Sequence, residues 1–173
     1  LSNKFGQSKI IYNALIKLKN TNNFDEIKNR ILDKEILEME HRGISLKIED
    51  QKEFNIISEK LGKLSTNFSN NVLDATNSWF LILNEKSQVG GLPERVLELM
   101  SISAHEHLKK EGEPDAENGP WKLSLDTPTY IAFMTYANDR NLREKLYKAF
   151  VSRASEGEKN NSQIIENILS LRT

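Results

Sequence analysis

With 173 residues, 38% of them apolar and 28% charged, the chain has the composition of an ordinary globular domain rather than that of a disordered tail or a membrane protein. Its 24 basic and 25 acidic side chains leave a formal net charge of -1, so no overall positive field exists to draw in nucleic acid or anionic lipid. Cysteine is absent, which removes disulfides, thiolate nucleophiles and Cys-ligated zinc, and no run of about 18 apolar residues offers a bilayer span.

The dominant period along the chain is helical. Ile10, Ile11, Ala14, Leu15 and Leu18 form an amphipathic segment that ends before an Asn-rich stretch at 20–23. A second helix is expected over 25–42, with Asp25 as N-cap, Ile27, Ile31 and Leu32 on the buried side and Gly43 as the stop. From Phe54, the residues Ile57, Leu61, Leu64, Phe68 and Val72 recur at steps of three and four, one stripe along a helix of roughly six turns. Glu49 and Asp50 mark its start, because carboxylates favour the positive end of the helix dipole. The short turn at 43–47 predicts that these two helices pair antiparallel.

The helical period breaks at Ser78. Trp79, Phe80, Leu81, Ile82 and Leu83 make an apolar run too short for a helix and rich in strand formers, and Trp121, Lys122, Leu123, Ser124 and Leu125 alternate like a second strand. Between them a helix is expected from Pro93 to about Lys110, with Val96, Leu97, Met100 and Leu108 on its apolar side. Thr127 and Pro128 open another helix through Tyr136. Asn138 or Asn141 is expected to cap the next, in which Leu142, Leu146, Phe150 and Tyr147 face inward. A last helix starts near Ser162 and is still strongly apolar at Ile164, Ile165, Ile168, Leu169 and Leu171 when the chain stops at Thr173, which reads as truncation, just as Leu1 in place of Met suggests a start inside a longer chain. The fold class that follows is mainly α: a bundle-like helical array with a small two-stranded β ribbon, forming a single truncated helical domain over 1–173.

Conventional chemistry is sparse. His105-Glu106-His107 invites comparison with the zinc motif His-Glu-x-x-His, but its histidines are two apart, about 200° round a helix, and cannot share an ion. They read as solvated positions near a helix C-terminus, where His and Lys suit the dipole. His41 is isolated and reads as a helix-end residue. Val89-Gly90-Gly91-Leu92-Pro93 lacks the Lys-Ser/Thr of a phosphate loop and reads as a turn. Glu35, Glu38 and Arg42 sit at helical spacing and read as a solvated face. Asn70 and Asn71, beside the Phe68/Val72 stripe, suit either a substrate backbone or a neighbouring loop. No catalytic residue and no metal ligand is assigned, and no substrate-binding residue is identifiable.

Four spaced blocks carry more information. They are Asn67-Phe-Ser-Asn-Asn-Val-Leu-Asp-Ala-Thr76, then Gly90-Gly-Leu-Pro-Glu94, then Leu125-Asp-Thr-Pro-Thr-Tyr130, and finally Leu142-Arg-Glu-Lys-Leu-Tyr-Lys-Ala-Phe150 with Arg153-Ala-Ser155. In that order they resemble the oligopeptidase A and thimet oligopeptidase family of zinc metallopeptidases, and Glu117-Asn-Gly-Pro-Trp121 further resembles the plant and cyanobacterial branch. The resemblance implies a mostly helical protein with a deep channel between two halves. It also implies a zinc site on a helix in the later half and hydrolysis of oligopeptides there. This chain matches only the part preceding that helix, in the N-terminal half. The resemblance therefore implies an oligopeptide-hydrolysing parent that uses zinc, and a segment that forms part of the channel wall, binds no zinc and is inactive by itself. Self-association of the isolated segment through its apolar positions is expected, as are no nucleic-acid and no membrane partner. The cytoplasm is the expected compartment, with an organelle open. The alternative class is a non-enzymatic helical interaction domain that docks a partner helix on the stripe from Phe54 to Val72.

Overall fold

The structure, a computed structural model, describes residues 5–21 and 24–173; Leu1 and the Asn22 and Asn23 of the Asn-rich stretch lie outside them. Its helices are α1 (Lys9–Thr21), α2 (Glu26–His41), α3 (Ile48–Ser78), α4 (Glu94–Leu108), α5 (Thr127–Tyr136), α6 (Arg140–Val151) and α7 (Ser162–Arg172), with short 3-10 turns at Lys86–Val89 and Gly157–Lys159. Strands β1 (Phe80–Leu83) and β2 (Trp121–Ser124) pair antiparallel in the register Phe80 to Ser124 and Leu83 to Trp121. The fold is thus mainly α with a two-stranded ribbon. The chain divides into two compact units, Leu1–Gly62 and Lys63–Thr173, and α3 contributes residues to both.

In the first unit, the Asp25 carboxylate accepts the Lys28 N–H at 2.8 Å and so caps α2 as the sequence predicts. Gly43, at φ +81°, turns the chain out of the helix, and the Gln51 amide closes the turn by donating to the Gly43 carbonyl at 2.9 Å. The expected pairing of α2 with α3 is corrected: α2 runs along α1 instead. Tyr12 Oη donates to Glu40 at 2.8 Å and Lys19 meets Asp33 at 2.5 Å, so the two helices are antiparallel.

The buried side of α2 is also corrected. Ile27 and Ile31 are 73% and 56% exposed, whereas Ile36 and Met39 are buried and Leu32 is half-buried. The physical reason lies further along the helix. The stripe that starts at Ile27 and Ile31 continues into Lys34, Glu35 and Glu38, whereas the one a residue round, Leu32, Ile36 and Met39, stays apolar to the helix end.

The second unit is built on the inner face of the ribbon. Trp121, Leu123 and Leu125 alternate inward with period two and are buried with Leu83, Met100, Phe133 and Leu146. Helix α4 covers β2 with Leu97, Met100, Ser101 and Ala104; Leu108, expected on this face, is exposed because it lies in the last turn, past the core. Asp126 caps α5 by accepting the Thr129 N–H at 3.0 Å. The cap of α6 is neither Asn138 nor Asn141 but Asp139, whose Oδ1 accepts from the amides of Asn141 and Leu142 at 2.9 and 3.0 Å. A carboxylate suits the positive helix end, and the backbone N–H of Asn138, one residue earlier, donates to the Gly90 carbonyl at 2.8 Å. That bond locks the Gly90-Gly91 turn. Gly91 has φ +91°, and a Cβ there would stand 2.3 Å from the Tyr136 carbonyl oxygen, so only glycine fits. Leu142 and Leu146 of α6 are buried and Phe150 is half-buried, but Tyr147 is 50% exposed, not inward.

Along α3 the stripe from Phe54 to Val72 is half-buried at every position and fully buried at none. Its second part, in this unit, is fixed by Asn161, the residue before α7. Asn161 is buried at 3% exposure; its Nδ2 donates to the Phe68 carbonyl at 3.1 Å, and its Oδ1 accepts from Asn71 Nδ2 at 2.9 Å.

Candidate functional site

The sequence singled out three histidines, and the structure does not bring them together. His41 is exposed in the last turn of α2, in the first unit. His107 is exposed on α4, its ring edge-on to Phe80 with centroids 4.2 Å apart. His105 departs from the solvated position expected for it: it is half-buried, and its Nε2 is sealed from solvent with no hydrogen-bond partner among the described residues. It lies beside Ser101 and Ala104, the buried stripe of α4, so the covered face extends one position further round the helix than the apolar pattern marks. Among the described residues, no three His, Cys, Asp or Glu side chains stand close enough to share a metal ion.

The two asparagines separate. Asn70 is exposed, and Asn71 is committed to Asn161, the neighbouring-loop role rather than the substrate role. Glu38 lies 3.9 Å from both Lys34 and Arg42 on exposed surface, and Glu35 is exposed beside them, a solvated charged face.

A cleft of about 530 Å³ in the second unit joins parts of the chain far apart in sequence. Its floor is apolar: Ala75 from the last turns of α3, Trp79 at the α3 to β1 junction, Leu81, Leu125 and Ala149. Its rim carries Lys145 and Lys148, one turn apart on α6, Arg153 just beyond that helix, and the hydroxyls of Ser78 and Ser152. Among the described residues, no carboxylate lines it, and Glu144 pairs with Lys148 from outside the lining.

Each rim group is positioned by its element. Phe150, half-buried, stacks on Tyr130 with centroids 3.9 Å apart, and the Arg153 guanidinium lies 3.8 Å over the Phe150 ring while donating to the Phe150 carbonyl. Ser152 Oγ donates to the Lys148 carbonyl at 2.8 Å and Ser78 Oγ to the Ala75 carbonyl at 3.2 Å, so both hydroxyls satisfy carbonyls at helix C-termini. Lys148 pairs with Glu144 at 2.6 Å, and the hydrogen bond from Lys148 with its charge holds the Glu144 carboxyl below the usual carboxylate range. Lys145 has no ionic partner among the described residues. Both hydroxyls therefore donate to the backbone, and the cleft presents an apolar floor under a cationic rim. Sequence reasoning missed it. The only signals were the i, i+3 lysines of α6 and the Trp that follows α3.

No protein-family model matches the chain. Comparison with known proteins finds it 41% identical over 172 residues to organellar oligopeptidase A, chloroplastic/mitochondrial, of Arabidopsis thaliana, covering 98% of this chain and 22% of that protein. It is 40% identical to the probable cytosolic oligopeptidase A of the same plant, with coverages of 98% and 24%. Against oligopeptidase A of Escherichia coli, it is 32% identical over 175 residues, with coverages of 96% and 24%. The chain therefore spans about a quarter of the length of the relatives it matches. No helix among the described residues is long and apolar enough to cross a membrane. Over almost its whole length, the chain is homologous to part of oligopeptidase A.

Proposed function

We propose that this chain is a portion of the N-terminal half of a zinc-dependent oligopeptidase, and that it contributes to the wall of a channel that admits short, unfolded peptides. Hydrolysis belongs to residues outside this chain, where the metal and its activated water are held; the helices described here shape and restrict access. The observation that carries this reading is identity of 32–41% to oligopeptidase A proteins of plants and bacteria across nearly the whole chain. The cleft supports it as well, because it sets cationic side chains over an apolar floor, groups suited to recognising a peptide. The proposed compartment is the cytoplasm, with an organelle as the other setting, since one relative is named cytosolic and another chloroplastic/mitochondrial.

The test compares the protein encoded by the complete gene with the 173-residue chain on an internally quenched short peptide. The complete protein is expected to cleave it, to stop when a chelator removes the metal and to resume when zinc is restored, while the shorter chain stays silent. A complete, folded protein that leaves the peptide intact, cleavage indifferent to chelator, or hydrolysis by the 173-residue chain overturns the proposal.

A further inference from the structure

The cleft between α3, β1 and α6 carries a chemistry more definite than a share in a wall. Its apolar floor includes Trp79 and Leu81, and its rim supplies the three cations Lys145, Lys148 and Arg153 with no carboxylate among the described lining residues. In a chain whose formal net charge is -1, this is a local positive site.

Part of that charge has a structural explanation. Basic side chains favour helix C-termini, and the cleft lies at the ends of α3 and α6. The carbonyls there, however, already have partners: Ser78 serves Ala75, Ser152 serves Lys148 and Arg153 serves Phe150. Lys145 lies two turns before the end of α6, outside the turn over which the dipole acts. The pair of Lys148 with Glu144 is exposed on both sides, and a pair of that kind yields readily to a competing anion. Lys145 therefore retains positive charge that the fold does not consume, at a cleft whose lining includes Trp79.

We infer that this cleft binds the C-terminal residue of a short peptide, its free carboxylate at Lys145, Lys148 and Arg153 and an apolar last side chain on Trp79 and Leu81. The choice of occupant follows from charge complementarity at close quarters. Carboxylate and apolar group must be presented together within about 530 Å³, and a C-terminal leucine or phenylalanine carries both on one Cα. The peptide identity of the occupant rests on the reading of the chain as part of an oligopeptidase. The binding itself requires no hydrolysis, so it is tested separately.

The probe is acetyl-Ala-Ala-Leu-Phe with a free C-terminus, compared with the same peptide amidated, each titrated into the ¹⁵N-labelled 173-residue chain. The chain has two tryptophans, and the indole signals give a reporter and a control. Trp79 lines the cleft, whereas Trp121 is fully buried with its Nε1 bonded to the Ala116 carbonyl at 3.1 Å. The expected result is a saturable shift of Trp79 with Trp121 unmoved. Amidation should weaken binding about tenfold and Lys145→Glu about fivefold, with the preference for the free acid shrinking as salt rises. Lys145 is exposed and the Trp121 signal reports that the variant is folded. No saturable shift, equal binding of acid and amide, or a Lys145→Glu chain that binds like the parent overturns the inference. Any of these leaves the zinc-peptidase reading to its own assay, and a complete protein without peptidase activity leaves this binding site standing.

Discussion

Replacing Asn161 tests whether one buried side chain holds the α6 to α7 connection against α3. Asn161→Ala removes two hydrogen bonds, one to the Phe68 carbonyl and one from Asn71 Nδ2, at a site only 3% exposed. At about 1 kcal/mol net for each bond, the expected loss is about 2 kcal/mol, since Asn71 is half-buried and its amide can turn to water. For a chain of this size that is a fall in Tm of about 4–8 °C. Asn161→Asp should cost more, because it sets a buried carboxylate oxygen against the Phe68 carbonyl where an N–H had donated. The exposed pair of Lys159 with Asp74, at 2.6 Å on the same connection, supplies the control: Lys159→Ala should leave the melt nearly unchanged. Thermal and urea unfolding followed by circular dichroism read all three variants. An Asn161→Ala midpoint within about 1 °C of the parent, or an Asp variant milder than the Ala variant, refutes the latch.

Two further outcomes follow from the packing of α2 and the cap of α5. Ile36→Ala should cost about 2–4 kcal/mol by urea denaturation and Ile27→Ala less than about 0.5, because the first is buried and the second is 73% exposed; the reverse order would return the inward face of α2 to its N-terminal apolar pair. Burial alone would raise the Asp126 carboxyl, but hydrogen bonds from the Ser124 hydroxyl and from the Thr129 amide and hydroxyl outweigh it and hold the group below the usual carboxylate range. A carboxyl depressed on folding stabilises fully above its unfolded value of about 3.9 and loses that contribution as pH falls through its folded value. Asp126→Asn should therefore flatten the decline of Tm below about pH 4, and an acid limb parallel to that of the parent chain would show that Asp126 is not among its sources.

Much of the fold is legible because the signals are local and periodic. The stripe from Phe54 to Val72 needs only the spacing of six residues, and the ribbon needs only the run at 79–83 and the alternation of Trp121, Leu123 and Leu125, all of which the structure bears out. The failures occur where two local signals compete. Asp139 and the asparagines on either side of it are all good caps, and the outcome turns on Asn138 being drawn to Gly90, a contact 48 residues away in sequence. The inward face of α2 is ambiguous in the sequence because apolar pairs at 27/31 and 32/36 lie next to each other on the helix, and only the full length of the stripe separates them. The cleft was invisible for a stronger reason. Its floor and rim come from 75–81, 125 and 145–153, and no periodicity relates a tryptophan after one helix to lysines on another.

The blocks on which the family resemblance rests acquire a physical sense in this geometry. Three of the four place side chains in the cleft: Ala75 from the first, Leu125 from the third, and Lys145, Lys148, Ala149 and Arg153 from the last. The Gly90-Gly91 block lies outside the cleft and is explained by packing, through the Asn138 bond and the Tyr136 carbonyl that leaves no room for a Cβ at Gly91. Packing also accounts for Leu125, which is buried, and for the Tyr130, Phe150 and Arg153 stack. It does not account for Lys145, which is exposed, without an ionic partner among the described residues and far from the helix end. A side chain that the fold does not use, placed at the rim of the cleft that these blocks build, is where recognition is expected to be written into this segment.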